Sequence, residues 1–191
     1  MVKVEIEGFG ALKTLFRELP SHIQDIADAE MEEGAREFVL NAKRDAPADV
    51  GRLRGAINYK KLGEADYEIF SQSAYAAYME FGTKGNYRPI PGAEAVAAKF
   101  RGKGEGSFKD MVRAIVNWVK RKGLAGRYSV KSRRRQGSKI DQLAEDYAAA
   151  WPIIMSILKN GVKPHPYFFK QQGIVIPKMM ARINQKIDQL L

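Results

Sequence analysis

Apolar and polar residues alternate at the start of the chain, with Val2, Val4 and Ile6 set against Lys3, Glu5 and Glu7. A period of two predicts a half-buried strand. Phe9, Leu12, Leu15 and Phe16 then switch to helical spacing, and Pro20 ends that short helix. Ile23, Ala27, Met31, Ala35, Phe38 and Ala42 recur every three or four residues, which predicts one helix face running from Ser21 to about Asp45. Ser21 and Gln24 stand in capping-box spacing at its start, and Pro47 prevents continuation. Gly34 weakens the middle of the helix, as expected where another backbone must come close.

Further on, residues 56–61 and 67–72 read as two strands of a hairpin joined through Leu62 to Asp66. Tyr75, Tyr78 and Met79 share one face of a short helix that Gly82 can close in the left-handed conformation. Residues 84–106 are rich in Gly and Pro and predict a loop, with a helical turn from Glu94 to Phe100. Ser107 and Asp110 repeat the capping pattern ahead of Phe108, Met111, Val112, Ile115, Trp118 and Val119. A second long stripe follows: Ile140, Leu143, Ala144, Tyr147, Ala148 and Trp151, continuing to Ile154 and Leu158. Pro152 predicts a kink or a break in it. Gly161 ends that helix, residues 163–166 are extended around two prolines, and Ile176, Met180, Ile183, Ile187 and Leu190 outline a last helix. The expected fold is α+β: a small, mainly antiparallel sheet packed by the long helix and the C-terminal helix. Residues 1–83 and 161–191 form its core, and residues 84–160 a helical insertion.

Charge adds one local feature. The chain has 191 residues, 32 Lys+Arg against 22 Asp+Glu, a formal net charge of +10. Nine of the basic residues lie between Lys120 and Lys139 without one acid: Lys120, Arg121, Lys122, Arg127, Lys131, Arg133, Arg134, Arg135 and Lys139. The remainder has 23 basic and 22 acidic residues, so it is close to neutral. Like charges repel and the Gly and Ser residues among them do not nucleate structure, which predicts a flexible loop over 123–139. Flexible cations of this kind suit contact with nucleic-acid phosphates without sequence readout.

Candidate chemistry is sparse. The chain has no Cys, which removes disulfides, thiolate zinc sites and cysteine nucleophiles. Neither His22 nor His165 stands in a metal-ligand spacing, and no nucleophile elbow, phosphate loop or dinucleotide fingerprint occurs. Gly102 to Gly106 is glycine-rich but lacks the lysine end of a phosphate cradle. Asp25, Glu30, Glu32 and Glu33 read as a solvated helix face. The expectation is therefore no catalytic residue, no metal and no cofactor. No apolar run approaches the ~18 residues of a membrane helix. Acids also stand where a signal peptide has its apolar stretch.

Three segments together resemble one family. They are 41–54 (NAKRDAPADVGRLR), 74–83 (AYAAYMEFGT) and 161–169 (GVKPHPYFF). In this order they are similar to the HK97 gene-product-ten-like family of tailed bacteriophages, whose pattern has a turn of the form AP-x-DTG-x-LR, a hairpin, an EFGT segment and a late P-x-PF. Val50 and Tyr167 depart from it, standing for Thr and Phe. The resemblance implies a non-enzymatic tail component, active in neck or tail completion. It implies a homo-oligomeric ring of six copies at the head–tail junction or tail top. The ring would bind other neck and tail proteins, stay off membranes and let DNA pass, and its place would be the virion after assembly in the host cytoplasm. Its contacts are expected to use Arg52, Arg54, Tyr75, Tyr78, Glu80, Phe81, Phe168 and Phe169. Arg52 and Arg54 flank Leu53, so an extended chain would put both guanidiniums on one face, within reach of Glu80. Phe81, Phe168 and Phe169 read as core or subunit-contact anchors. Two other functions fit the same residues less fully: a nucleic-acid-binding module using 120–139, and a small nuclease or cell-wall hydrolase.

Overall fold

The computed structural model describes residues 21–73, 75–100, 107–129, 131–132 and 134–189. The strand expected over Val2–Ile6 and the helix over Phe9–Phe16 lie outside the described residues. So do Gly102 to Gly106, Arg133 and Leu190.

Helix α1 spans Ser21–Asp45. Its apolar stripe is the inner face, with Ala27, Met31, Ala35, Phe38, Val39 and Ala42 all buried. Arg36, on the outer face, pairs with Glu32 and Glu33 one turn away. After Pro47 the chain turns at Gly51 (φ 77) into α2, the single helical turn Arg52–Gly55. This corrects the extended reading of 52–54. One helical turn nonetheless sorts the residues the same way, with Leu53 buried at 2% exposure and both arginines on the surface.

Strands β1 (Ile57–Gly63) and β2 (Asp66–Ser71) pair antiparallel, Ile57 opposite Ser71 and Gly63 opposite Asp66. The connection is two residues, Glu64 and Ala65, rather than five, because an irregularity between Lys61 and Gly63 absorbs Leu62 into the strand. Asp28 of α1 holds the hairpin tip. It accepts the Ala65 N–H at 2.9 Å, the Tyr67 hydroxyl at 3.2 Å and the Lys61 ammonium at 2.5 Å.

Helices α3 (Ala76–Phe81), α4 (Glu94–Phe100), α5 (Phe108–Lys122), α6 (Lys139–Asn160) and α7 (Gln172–Asp188), with short 3-10 turns at Lys84–Asn86 and Phe169–Gln171, complete the described elements. Helix α7 lies on α1 through Val175, Met179 and Ile183. A rank of charges borders that contact: Arg182 sits between Glu30 and Glu37, Lys178 meets Glu37 and Lys186 meets Glu30. Gly34 does not admit another backbone, contrary to the expectation from its place in mid-helix. A Cβ there would lie 2.7 Å from the Met179 sulfur, so the glycine makes room for a side chain of α7.

Helices α5 and α6 pack on each other around a second, smaller cluster, Val116 and Val119 against Ala150 and Ile154. Ser107 caps α5 by accepting the Asp110 N–H at 3.1 Å, as its spacing predicts. Ser138 and Asp141 form a full capping box on α6. Pro152 neither breaks nor splits α6, which continues to Asn160. Residues 148 and 152 are both exposed, so water can serve the carbonyl that the proline leaves unpaired. The stripe read along this helix turns mostly outward. Its buried line is Asp146, Ala150 and Ile154. Ile140, Leu143, Tyr147, Trp151 and Leu158 are exposed.

Candidate functional site

Helix α3 ends in the EFGT segment, and the face of Tyr75, Tyr78 and Met79 lies opposite its most buried residues. Ala76, Ala77, Glu80 and Phe81 are buried, while Tyr75 is exposed and Tyr78 and Met79 are partly so. The cause is Glu80, a charged residue at 2% exposure. Its Oε2 accepts the backbone N–H groups of Tyr167 at 2.9 Å and Phe168 at 3.0 Å, and its Oε1 accepts that of Phe169 at 3.0 Å. Burial pushes the Glu80 carboxyl pKa up, and the three N–H groups, with Lys170 beyond them, act in the opposite direction by favouring the charge. Glu80 therefore does not pair with Arg52 or Arg54. Arg54 closes its own turn instead, donating to the Ala46 and Arg44 carbonyls at 3.0 and 3.3 Å.

The carboxylate gathers rings around it. Phe81 lies 5.5 Å from Phe169, and Phe168 meets Phe38 of α1 edge-on at 5.1 Å. These distances are those of attractive aromatic pairs. Phe81, Phe168, Phe169 and Glu80 are all interior to the chain. Of the residues expected to touch neighbours, these four belong to its own core, and Arg52, Arg54, Tyr75 and Tyr78 are the ones that reach the surface.

The segment before the rings is stitched to the one after α3. Thr83 donates its N–H to Val162 at 3.0 Å and accepts the Val162 N–H at its hydroxyl at 2.8 Å. The His165 N–H donates to Met79 at 2.6 Å. Gly82 has φ 72 and ψ −176, a positive-φ extended conformation rather than the left-handed helical one. A Cβ at that position would fall 2.6 Å from the Asn86 carbonyl oxygen and 2.8 Å from that of Val162. The end of α1 joins the same knot. Asp45 accepts from Gln171 Nε2 at 3.0 Å and pairs with Lys170 at 2.9 Å, while the His165 ring lies 3.1 Å from the Asp45 carbonyl. Lys170 and Arg44 hold the Asp45 carboxyl well below the usual range. The three segments singled out in the sequence are thus one physical unit.

The basic stretch is more ordered than its composition predicts. Lys120, Arg121 and Lys122 are the last turn of α5, and Lys139 is the first residue of α6. Between them Tyr128 bridges Arg135 antiparallel, with Ser129 donating to Arg134 and Gln136 to Arg127. Arg135 is the reason. Its Nη1 reaches both Asp146 oxygens at 2.8 and 3.0 Å, and its Nη2 reaches Glu145 at 3.1 Å and the Gln142 carbonyl at 2.7 Å. Arg135 therefore works inside the protein as a clasp. Arg121 pairs with Asp49. Arg127, Lys131 and Arg134 are exposed on the small hairpin, and Lys120, Lys122 and Lys139 are exposed at the helix ends. Neither the Arg135 clasp nor the inward turn of Glu80 has a signal in local spacing, since each depends on a chain segment brought up by the fold.

Among the described residues no cluster of three His, Cys, Asp or Glu could hold a metal ion. Among the same residues no helix is long and apolar enough to cross a membrane. No curated protein and no solved structure matches the chain. Residues 11–82 match a family model described as "Bacteriophage HK97-gp10, putative tail-component". That stretch contains the first motif segment and nearly all of the second, and Glu80 within it binds the third. The match supports the family that the motifs resemble: over residues 11–82 the chain is similar to the family described as HK97-gp10 putative tail components of bacteriophages.

Proposed function

We propose that the protein is a non-enzymatic structural component of a phage virion. In this reading it forms a ring, six copies by family resemblance, at the head–tail junction or tail top. It completes the tail there, binds neighbouring neck and tail proteins and leaves a passage for DNA. The observation that carries the reading is the family match over residues 11–82. The Glu80 knot supports it, because it ties the matched region to residues 161–171 and so builds a rigid body suited to repeated assembly. Arg52, Arg54, Tyr75 and Tyr78 are the surface candidates for contacts between copies or with neighbours.

Electron microscopy of particles assembled without this protein tests the role. The expected result is full heads and finished tails that fail to join. Intact, infectious virions would overturn it.

A second reading has its own observation. The Arg135 clasp fixes a hairpin that presents Arg127, Lys131 and Arg134 to solvent, a geometry suited to non-specific phosphate contact. Replacing those three by Ala should weaken DNA retention in a salt-dependent way, and unchanged retention would dismiss the contact.

A further inference from the structure

Helix α6 carries an apolar face that nothing in the described chain covers. Ile140, Leu143, Tyr147, Trp151, Met155 and Leu158 are all exposed, Ile140 at 80% and Trp151 at 52%. At 100° per residue they fall within one arc of about 120°, over a length of ~27 Å. Ala144 lies within the arc and Ala148 just beyond its edge, and no charged residue lies in the arc. The buried line Asp146, Ala150 and Ile154 that meets α5 runs along one edge of this face and enters the arc only at Ile154, so the six named side chains stay open.

The order of residues along the face is nearly palindromic about position 149. Ile140 stands as far before it as Leu158 stands after it, and the same holds for Leu143 with Met155 and for Tyr147 with Trp151. Two charges border one edge at opposite ends, Asp141 near the start and Lys159 near the finish. When two such helices lie antiparallel across a two-fold axis, each edge faces the same edge of its copy with the ends exchanged. Aromatic then meets aromatic at the centre and aliphatic meets aliphatic towards the ends. Asp141 of each copy comes opposite Lys159 of the other, twice.

We infer that this face is the contact surface for a second copy of the same chain, with α6 packed antiparallel on α6 about a two-fold axis near residue 149. The six side chains expose on the order of 600 Å² per copy, so a symmetric pair buries over 1,000 Å², near the lower edge of specific interfaces at ~1,200 Å². An exposed apolar patch of this size marks an interaction site. Among the described residues the other exposed large hydrophobics, such as Leu40, Leu62 and Ile174, come from separate elements and form no matching stripe. The palindrome supplies the complement that an isologous contact requires. The inference stands apart from the ring. A two-fold contact joins two rings or pairs free chains, and does not itself close a cyclic one.

The mass of the full chain in solution, followed to submillimolar concentration by light scattering, tests the pairing. The expected species is twice 21.4 kDa. Trp151→Glu places two new negative charges, one from each copy, near the centre of the pair and should return the mass to a single chain. Its circular dichroism should not change, because position 151 is exposed. Lys159→Glu sets like charges opposite Asp141 and should weaken association several-fold. The chain is free of cysteine, so Ala148→Cys beside the axis should be joined to its copy by a short bismaleimide, and Ser156→Cys on the far side of the helix should not. A wild-type chain that stays single throughout overturns the pairing, and the face then serves a different protein or another segment. An assembly whose mass survives Trp151→Glu overturns it as well, as does equal cross-linking at both cysteines.

Discussion

Glu80 Oε2 accepts the backbone N–H of Phe168 at 3.0 Å across 88 residues of chain. With the Tyr167 and Phe169 donors, that contact satisfies a buried carboxylate with backbone alone. It also fixes the rings of Phe168 and Phe169 against α1 and α3.

Glu80→Gln keeps the size and removes the charge, and one of its two end atoms becomes a donor facing an N–H. Hydrogen bonds to charged groups contribute about 1.5–3 kcal/mol each and an unmet buried donor costs more, so the substitution should lower stability by roughly 3 kcal/mol. Urea unfolding of the two proteins measures the difference. A Gln variant as stable as the parent would show that the carboxylate charge is not needed.

Arg135→Ala frees the hairpin between α5 and α6 while leaving both helices capped. Local opening of this kind raises the accessible population of one segment without unfolding the rest. Trypsin should cut after Arg127, Lys131 or Arg134 on the order of ten times faster. The melting of the α1–α7 core should change little, because the hydrogen bonds of the Arg135 guanidinium all go to α6. Equal cleavage rates would show the clasp to be idle.

Gly34→Ala must push the Met179 sulfur aside, a flexible end, and gains helix propensity in return. The net change should stay within about 1 kcal/mol. Gly34→Leu overfills the contact between α1 and α7 and should destabilise by about 3 kcal/mol. Thermal melts of both variants distinguish these cases. A neutral Leu would mean that the two helices are not in contact at that point.

Acid should destabilise the protein. Nearby cations and donors hold the carboxyls of Asp28, Glu30, Glu37 and Asp45 below their ordinary pKa values, through Lys61 and Ala65, Lys186 and Arg182, Lys178 and Arg182, and Lys170 and Arg44 respectively. A depressed folded-state pKa gives stability that is present above the unfolded value near 4 and is lost as pH falls below it. The melting temperature should therefore hold from pH 7 to about 5 and decline below ~4. Added salt should reduce the slope, since most of these pairs reach solvent. A melting temperature independent of pH down to 3 would contradict the pairing.

Several features were readable from residues alone. The α1 stripe, the stops at Pro47 and Gly161, the Ser107 cap and the approximate strand limits are local, set by side-chain spacing and backbone conformation within a few positions. The Arg135 clasp was not readable, because nine cations without an acid predict mutual repulsion, and the acids that organise Arg135 lie a turn or more into the next helix. The inward turn of Glu80, expected to pair with Arg52 or Arg54, is not readable for a similar reason. A glutamate in a short helix reads as solvent-facing until three peptide N–H groups arrive from a distant segment.

The sequence by itself determined where the long helices run and stop, roughly where the two strands lie, that the excess charge is concentrated in one stretch, and which family the three motif segments resemble. Tertiary structure decided which face of each element is inside. Periodicity reports that a helix has an apolar arc, but an arc is buried only if another element meets it. In α1 that element is α7, so the stripe became core. In α6 the partner α5 takes the line of Asp146, Ala150 and Ile154, so Ile140, Leu143, Tyr147, Trp151 and Leu158 stay exposed. The same non-local rule sends Glu80 inward, since a buried charge is stable only where the fold delivers its hydrogen-bond partners.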